Sequence, residues 1–203
     1  MTRSGTKLSD AESRREQLIK SAIHVFGRAG YRGTSVAEVA AHAQLSPAYV
    51  FKLFSTKEAL FVAALERCYA AIHEVITEAA AAVDSSAPEA ILSAMGAAYA
   101  QLIARRELLL LQVHALAATD IELVAETVRR GLAMVTTLVK ERSQASDEDV
   151  QQFMARGQLC QLIVTAGLDN IDAPWADLLQ RGIRHPGTMT KQSPRRGRRR
   201  TAE

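Results

Sequence analysis

Between Ser46 and Lys57 the chain holds residues that suit contact with a nucleic acid. Pro47, Ala48, Tyr49 and Lys52 fall on one side of a short helical stretch, with Val50 and Phe54 on the other. Small residues let a helix approach base edges, a tyrosine offers both ring and hydroxyl, and a lysine supplies charge. Hydroxyl and basic residues at helix starts, Thr34, Ser35, Ser46 and Lys57, add groups that suit phosphates. Other groupings are poorer in chemistry. The five histidines are scattered, and none pairs with Cys, Asp or Glu at a zinc-binding spacing. Glu74 and Glu78 read as a solvated helix face. Gly27, Gly30 and Gly33 follow no strand and precede no Lys-Ser/Thr pair, so they do not make a phosphate loop. No G-x-S-x-G elbow occurs. The expectation is a protein without a catalytic apparatus, a metal or a cofactor.

The elements that must position these residues are helical. There is no sustained two-residue alternation of β-branched side chains, and the first three prolines lie close to helix starts. A helix is expected from about Asp10 to Arg28, with Ser9 and Glu12 at capping-box spacing and Gly30 as its stop. Two short helices follow, capped by Thr34 or Ser35 and by Ser46, and joined by the turn Ala43-Gln44-Leu45. A long helix runs from Lys57 to about Val83. Later helices are expected over 88–105 and 107–118, from a Thr119/Glu122 capping box to about 142, and over 147–168 and 173–183. The stretch 185–203, rich in arginine and broken by Pro, Gly and Ser, reads as a basic disordered tail.

Composition is ordinary for a globular chain, with 48% apolar and 23% charged residues over 203 positions. No apolar run approaches the ~20 residues of a membrane span, and the polar start carries no secretory h-region. Two cysteines, Cys68 and Cys160, cannot build a disulfide framework and read as small buried hydrophobes. A cytoplasmic protein is expected. The net charge of +3 conceals a pattern. Residues 1–60 carry nine Lys/Arg against five Asp/Glu, residues 61–180 eight against sixteen, and residues 181–203 eight against one. Basic ends around an acidic middle point toward a polyanion at the ends.

Two short helices joined by a three-residue turn, packed on a longer first helix, form a helix-turn-helix over about 35–54. Val36, Val39, Ala40, Ala43, Leu45, Val50 and Phe54 are the inward set. By spacing alone, DNA binding and a purely structural corner are both open. The stretch from Arg14 to Tyr69 resembles the N-terminal domain of the tetracycline-repressor (TetR) family. The matching residues are Ala22, Phe26, Gly30-Tyr31, Thr34-Ser35-Val36, Glu38-Val39-Ala40, Ala43-Gln44-Leu45-Ser46, Phe51, Phe54 and Thr56-Lys57-Glu58-Ala59-Leu60. Two departures stand out: Gln44 replaces the family's usual turn glycine, and Phe51 replaces its usual tyrosine.

The resemblance implies an all-α, two-domain homodimer of about nine helices. Residues 12–72 would be the DNA-binding domain and 73–184 the ligand-binding and dimerisation domain. It places Thr34, Ser35, Ser46, Pro47, Ala48, Tyr49, Phe51, Lys52 and Lys57 at double-stranded operator DNA. A small hydrophobic or aromatic effector would lie among the C-terminal helices, where Met95, Tyr99, Leu102, Leu110, His114 and Met134 are candidate pocket residues. Phe153, Gly157, Cys160, Val164, Leu168, Trp175, Leu178 and Leu179 form a candidate dimer seam. The implied function is a ligand-released repressor on a pseudo-palindromic operator, without a membrane partner. The rivals are an activator or architectural binder of the same fold, and a helical carrier or enzyme whose basic ends bind nucleic acid without regard to sequence.

Overall fold

The computed structural model describes residues 10–183. Among them are nine α-helices and one 3-10 turn, with no strand. The proposed Ser9 cap and the basic tail lie outside the described residues. Helix α1 (Asp10–Ala29) buries Leu18, Ile19, Ala22, Ile23 and Phe26 along one stripe. It stops at Gly30, whose φ of +73° lies where a side chain is disfavoured. Helix α2 (Val36–His42) packs on α1 and α3 (Pro47–Leu53) on α2, with Val39, Ala40, Ala43, Val50 and Phe54 in the core they share. Phe61 meets Phe26 edge-on at 4.9 Å between centroids, which joins α1 to helix α4 (Lys57–Ala81).

Helix α4 extends beyond that core. Its later buried residues, Cys68, Ile72 and Ile76, pack with α5 (Pro88–Leu102) and α7 (Glu122–Ser143). Helix α6 (Arg106–Leu116) lies along α1, and α8 (Asp147–Ala166) completes the C-terminal group. The approach of α1 to α6 depends on Gly27. A Cβ there would sit 2.6 Å from the backbone oxygen of Glu107. A 3-10 turn (Leu168–Asn170) and α9 (Pro174–Gln180) follow α8.

Several boundaries depart from expectation. Thr119 does not open α7. Its hydroxyl donates to the carbonyl of Leu116, satisfying the end of α6, and Ile121 starts α7 without a side-chain cap. Helix α8 stops at Ala166 because Gly167 turns left-handed at φ +67°. Of the two candidate caps for α2, Ser35 is the one used, and Thr56 caps α4.

Candidate nucleic-acid interface and small-molecule cavity

Three hydroxyl caps hold the N-terminal helices in register. Ser35 accepts from the backbone N–H of Glu38, and the Glu38 carboxylate accepts in return from the Ser35 backbone N–H at 2.6 Å. These bonds, the backbone one foremost, hold the Glu38 carboxyl below the usual carboxylate range. Ser46 accepts from the N–H of Tyr49, and Thr56 from that of Ala59. The turn between α2 and α3 carries Gln44 at φ +57°, the left-handed position expected from the sequence. Its flank is tied to α1 by Gln17, whose Nε2 donates to the carbonyl of Ala43 at 3.0 Å.

With α3 anchored by buried Val50, its other side faces outward. Ser46, Pro47, Ala48, Phe51 and Lys52 are exposed and Tyr49 is half-buried. Ser35 is exposed at the start of α2. Thr34 is not available: it is buried, and its hydroxyl points to the carbonyl of Val25. That corrects its expected place among the phosphate contacts, because the bend before α2 uses the hydroxyl internally. Lys57 sits at the start of α4 with Nζ 4.3 Å from the centroid of the Tyr31 ring. Tyr31 donates to Glu58. Burial, reinforced by that carboxylate, pushes the Tyr31 hydroxyl up to about 12. The same bond holds the Glu58 carboxyl down.

A cavity of about 550 Å³ opens among α4, α5, α6, α7 and α8. Of the six residues expected there, only Tyr99 lines it. Met95 and Leu102 are buried in the packed core, and Leu110 is half-buried outside the cavity wall. The His114 ring lies against Gly30, where an added Cβ would meet Nδ1 at 2.8 Å, so it belongs to the α1–α6 joint. Met134 lines a smaller cleft with Tyr69, His73 and Arg130. On α8, Phe153, Gly157 and Cys160 line the cavity. Val164 packs near Ile103 and Leu109, and Leu168 is buried. Only Trp175 and Leu178 of that set stand well exposed, at 54% and 64%, while Leu179 is half-buried.

The cavity also holds two residues that sequence reasoning missed, Gln112 and Gln161. Gln161 Nε2 donates to the Tyr99 hydroxyl at 2.6 Å and to Gln112 Oε1 at 3.1 Å. Tyr99 donates to the same Gln112 oxygen at 3.3 Å, and Gln112 Nε2 donates to the Leu108 carbonyl at 3.1 Å. Burial raises the Tyr99 hydroxyl well above its ordinary value and keeps it neutral. The available signal was an amide interrupting an apolar helix face in both α6 and α8. Burial raises the Cys68 thiol to about 12 and the Cys160 thiol to about 11.

Residues 18–64 match the family model for bacterial regulatory proteins of the tetR family. This stretch is similar to the N-terminal domain of that family. Over 90 residues it is 28% identical to the HTH-type transcriptional repressor NicS of Pseudomonas putida. That match spans 44% of this chain and 42% of NicS, so the chain covers less than half the length of this relative. FadR of Bacillus subtilis, solved with stearoyl-CoA, superposes with a TM-score of 0.65 at 15% identity, covering 83% of this chain and 99% of FadR. The multidrug binding protein EbrR, solved with ethidium, gives 0.60 at 24% identity, covering 84% and 99%. At these identities the likeness establishes the fold. Residues 18–64 are thus matched in sequence, and the fold as a whole in architecture.

Proposed function

We propose that this protein is a transcriptional repressor released from its operator by a small molecule, and that it is not an enzyme. The observation that carries the reading is α3. It is capped by Ser46 and fastened by fully buried Val50, and it presents Pro47, Ala48, Phe51 and Lys52 to solvent with Tyr49 beside them. Such a helix fits the major groove. Two copies would hold their recognition helices ~34–36 Å apart on a pseudo-palindromic site. Leu162, Trp175 and Leu178, each more than half exposed, support α8 and α9 as the face between copies. No described helix is long and apolar enough to cross a membrane, and the reading places the protein in the cytoplasm.

The effector belongs in the cavity, whose walls share α4 and α6 with the packing of α1. A molecule that fits better when the recognition helices are wrongly spaced shifts the population off DNA, limited by its differential affinity for the two states. The tail stays outside this account except as a proposed source of sequence-blind attraction. The test is base readout by Tyr49. After operator selection from random DNA, Tyr49→Ala should cost about 1–3 kcal/mol on the selected operator and little on random duplex. Equal losses on both would remove α3 from base recognition.

A further inference from the structure

The cavity wall includes polar side chains that are themselves buried. Gln112 and Gln161 are 8% and 6% exposed, and both join the Tyr99 hydroxyl in one hydrogen-bonded group at the cavity. Among the described residues, no charged side chain is buried. The charged residues of the wall, Glu89, Asp149 and Arg156, are all solvent-exposed. An ion drawn to this buried group would lose its hydration without a buried counter-charge to offset the loss. An amide or phenol, by contrast, can pair with any neutral donor or acceptor.

We infer that the cavity, on its reading as the effector site, takes an uncharged molecule: an apolar ring or chain bearing one hydroxyl, carbonyl or carboxamide, selected by Tyr99, Gln112 and Gln161. Gln161 makes these two bonds as a donor, and Gln112 Oε1 receives two. A neutral polar head can enter this group by exchanging one of those bonds for its own. The apolar body then lies against Ile72, Ile76, Leu92 and Phe153. At about 550 Å³ the space suits a small organic molecule.

Four probes with one ring system test the assignment on the full-length protein: 1-naphthylmethanol, 1-naphthylmethylammonium, 1-naphthoate and naphthalene itself. Equilibrium dialysis at neutral pH should rank the alcohol roughly tenfold or more above both ions. Gln161→Leu should cut the preference for alcohol over naphthalene by roughly tenfold while leaving naphthalene bound. Tyr99→Phe, which removes one oxygen and keeps the ring, should reduce the same preference and decides the matter if Gln161→Leu does not fold. An ammonium or carboxylate probe that binds as tightly as the alcohol overturns the inference. So does an alcohol preference unchanged in the folded variants. Binding of no probe at all overturns it too and removes the cavity as effector site, whereas operator binding by the same samples reports separately on the DNA half of the reading.

Discussion

The helix caps around α2, α3 and α4 and the polar group of the cavity close on different length scales. In the first, caps close within three residues: Ser35 with Glu38, Ser46 with Tyr49, Thr56 with Ala59. In the second, the bonds that shape the cavity join Tyr99 to Gln112 and both to Gln161, the last across 62 and 49 positions. Local bonds follow from short patterns in the chain. Long-range ones depend on which helix faces pack together, so they emerge only with the fold. A surface that must meet a regular duplex suits rigid local geometry. A cavity assembled from distant helices can be altered piecemeal without unmaking the helices themselves.

The largest effect is expected where the two regions meet. Gly27 lets α1 lie against the backbone of α6, and an added Cβ would meet the Glu107 oxygen at 2.6 Å. Neither atom sits on a flexible side chain, so relief requires the helices to separate. Gly27→Ala should destabilise by about 1–3 kcal/mol, even though alanine favours a helix by up to about 1 kcal/mol over glycine. Gly96 in α5 provides the contrast, because its Cβ would lie 3.6 Å from the Phe153 ring, an ordinary contact. Gly96→Ala should therefore leave stability unchanged or raise it by up to about 1 kcal/mol. Thermal unfolding of both variants measures the difference. Equal midpoints would show that the joint yields more easily than its backbone contact requires.

The same division explains what could be read in the sequence. The inward set of the helix-turn-helix follows from a 3–4-residue stripe, and Val39, Ala40, Ala43, Val50 and Phe54 are indeed buried. The left-handed turn at Gln44 was visible because a glycine is the usual choice there. Thr34 was misplaced because a hydroxyl at a helix start has two uses, and only the structure shows it bonded to Val25. In the C-terminal helices, apolar stripes showed that faces were buried but not against what. The stripe of Phe153, Gly157 and Cys160 therefore did not reveal that all three line a cavity. His114 looked like a pocket residue and instead fills the space beside Gly30.

A middle-sized effect should follow from Lys57, where local geometry meets long-range electrostatics. Its ammonium rests over the Tyr31 ring, near the carboxylates of Glu38 and Glu58. If that charge also contacts a phosphate, Lys57→Ala should weaken operator and random DNA alike. It should also reduce the slope of log affinity against log salt by about 0.9. A titration across salt concentrations separates the possibilities. A slope that does not change would make Lys57 a partner of Tyr31 alone.

The smallest effect compares one residue type in both regions. Gln44 in the α2–α3 turn and Gln144 at the end of α7 are both left-handed, at φ +57° and +52°. A left-handed conformation costs an ordinary residue roughly 1–2 kcal/mol, and glycine avoids that cost. Glycine gives back about 0.4–1 kcal/mol through its freer unfolded chain. Gln44→Gly should therefore stabilise by about 0.5 kcal/mol, as the difference between two terms of similar size. Gln144 differs in that its Nε2 donates to the carbonyl of Glu141 at 2.7 Å, close to the helix end. Gln144→Gly loses this bond, which contributes about 0.5–1.5 kcal/mol when formed within a protein and less at an exposed site. The net change there should be near zero or slightly destabilising. Denaturant midpoints at matched slopes resolve differences of this size. If Gln144→Gly stabilised more than Gln44→Gly, the side-chain bond at the end of α7 would contribute nothing, and the C-terminal region would gain less from its local bonds than the geometry indicates.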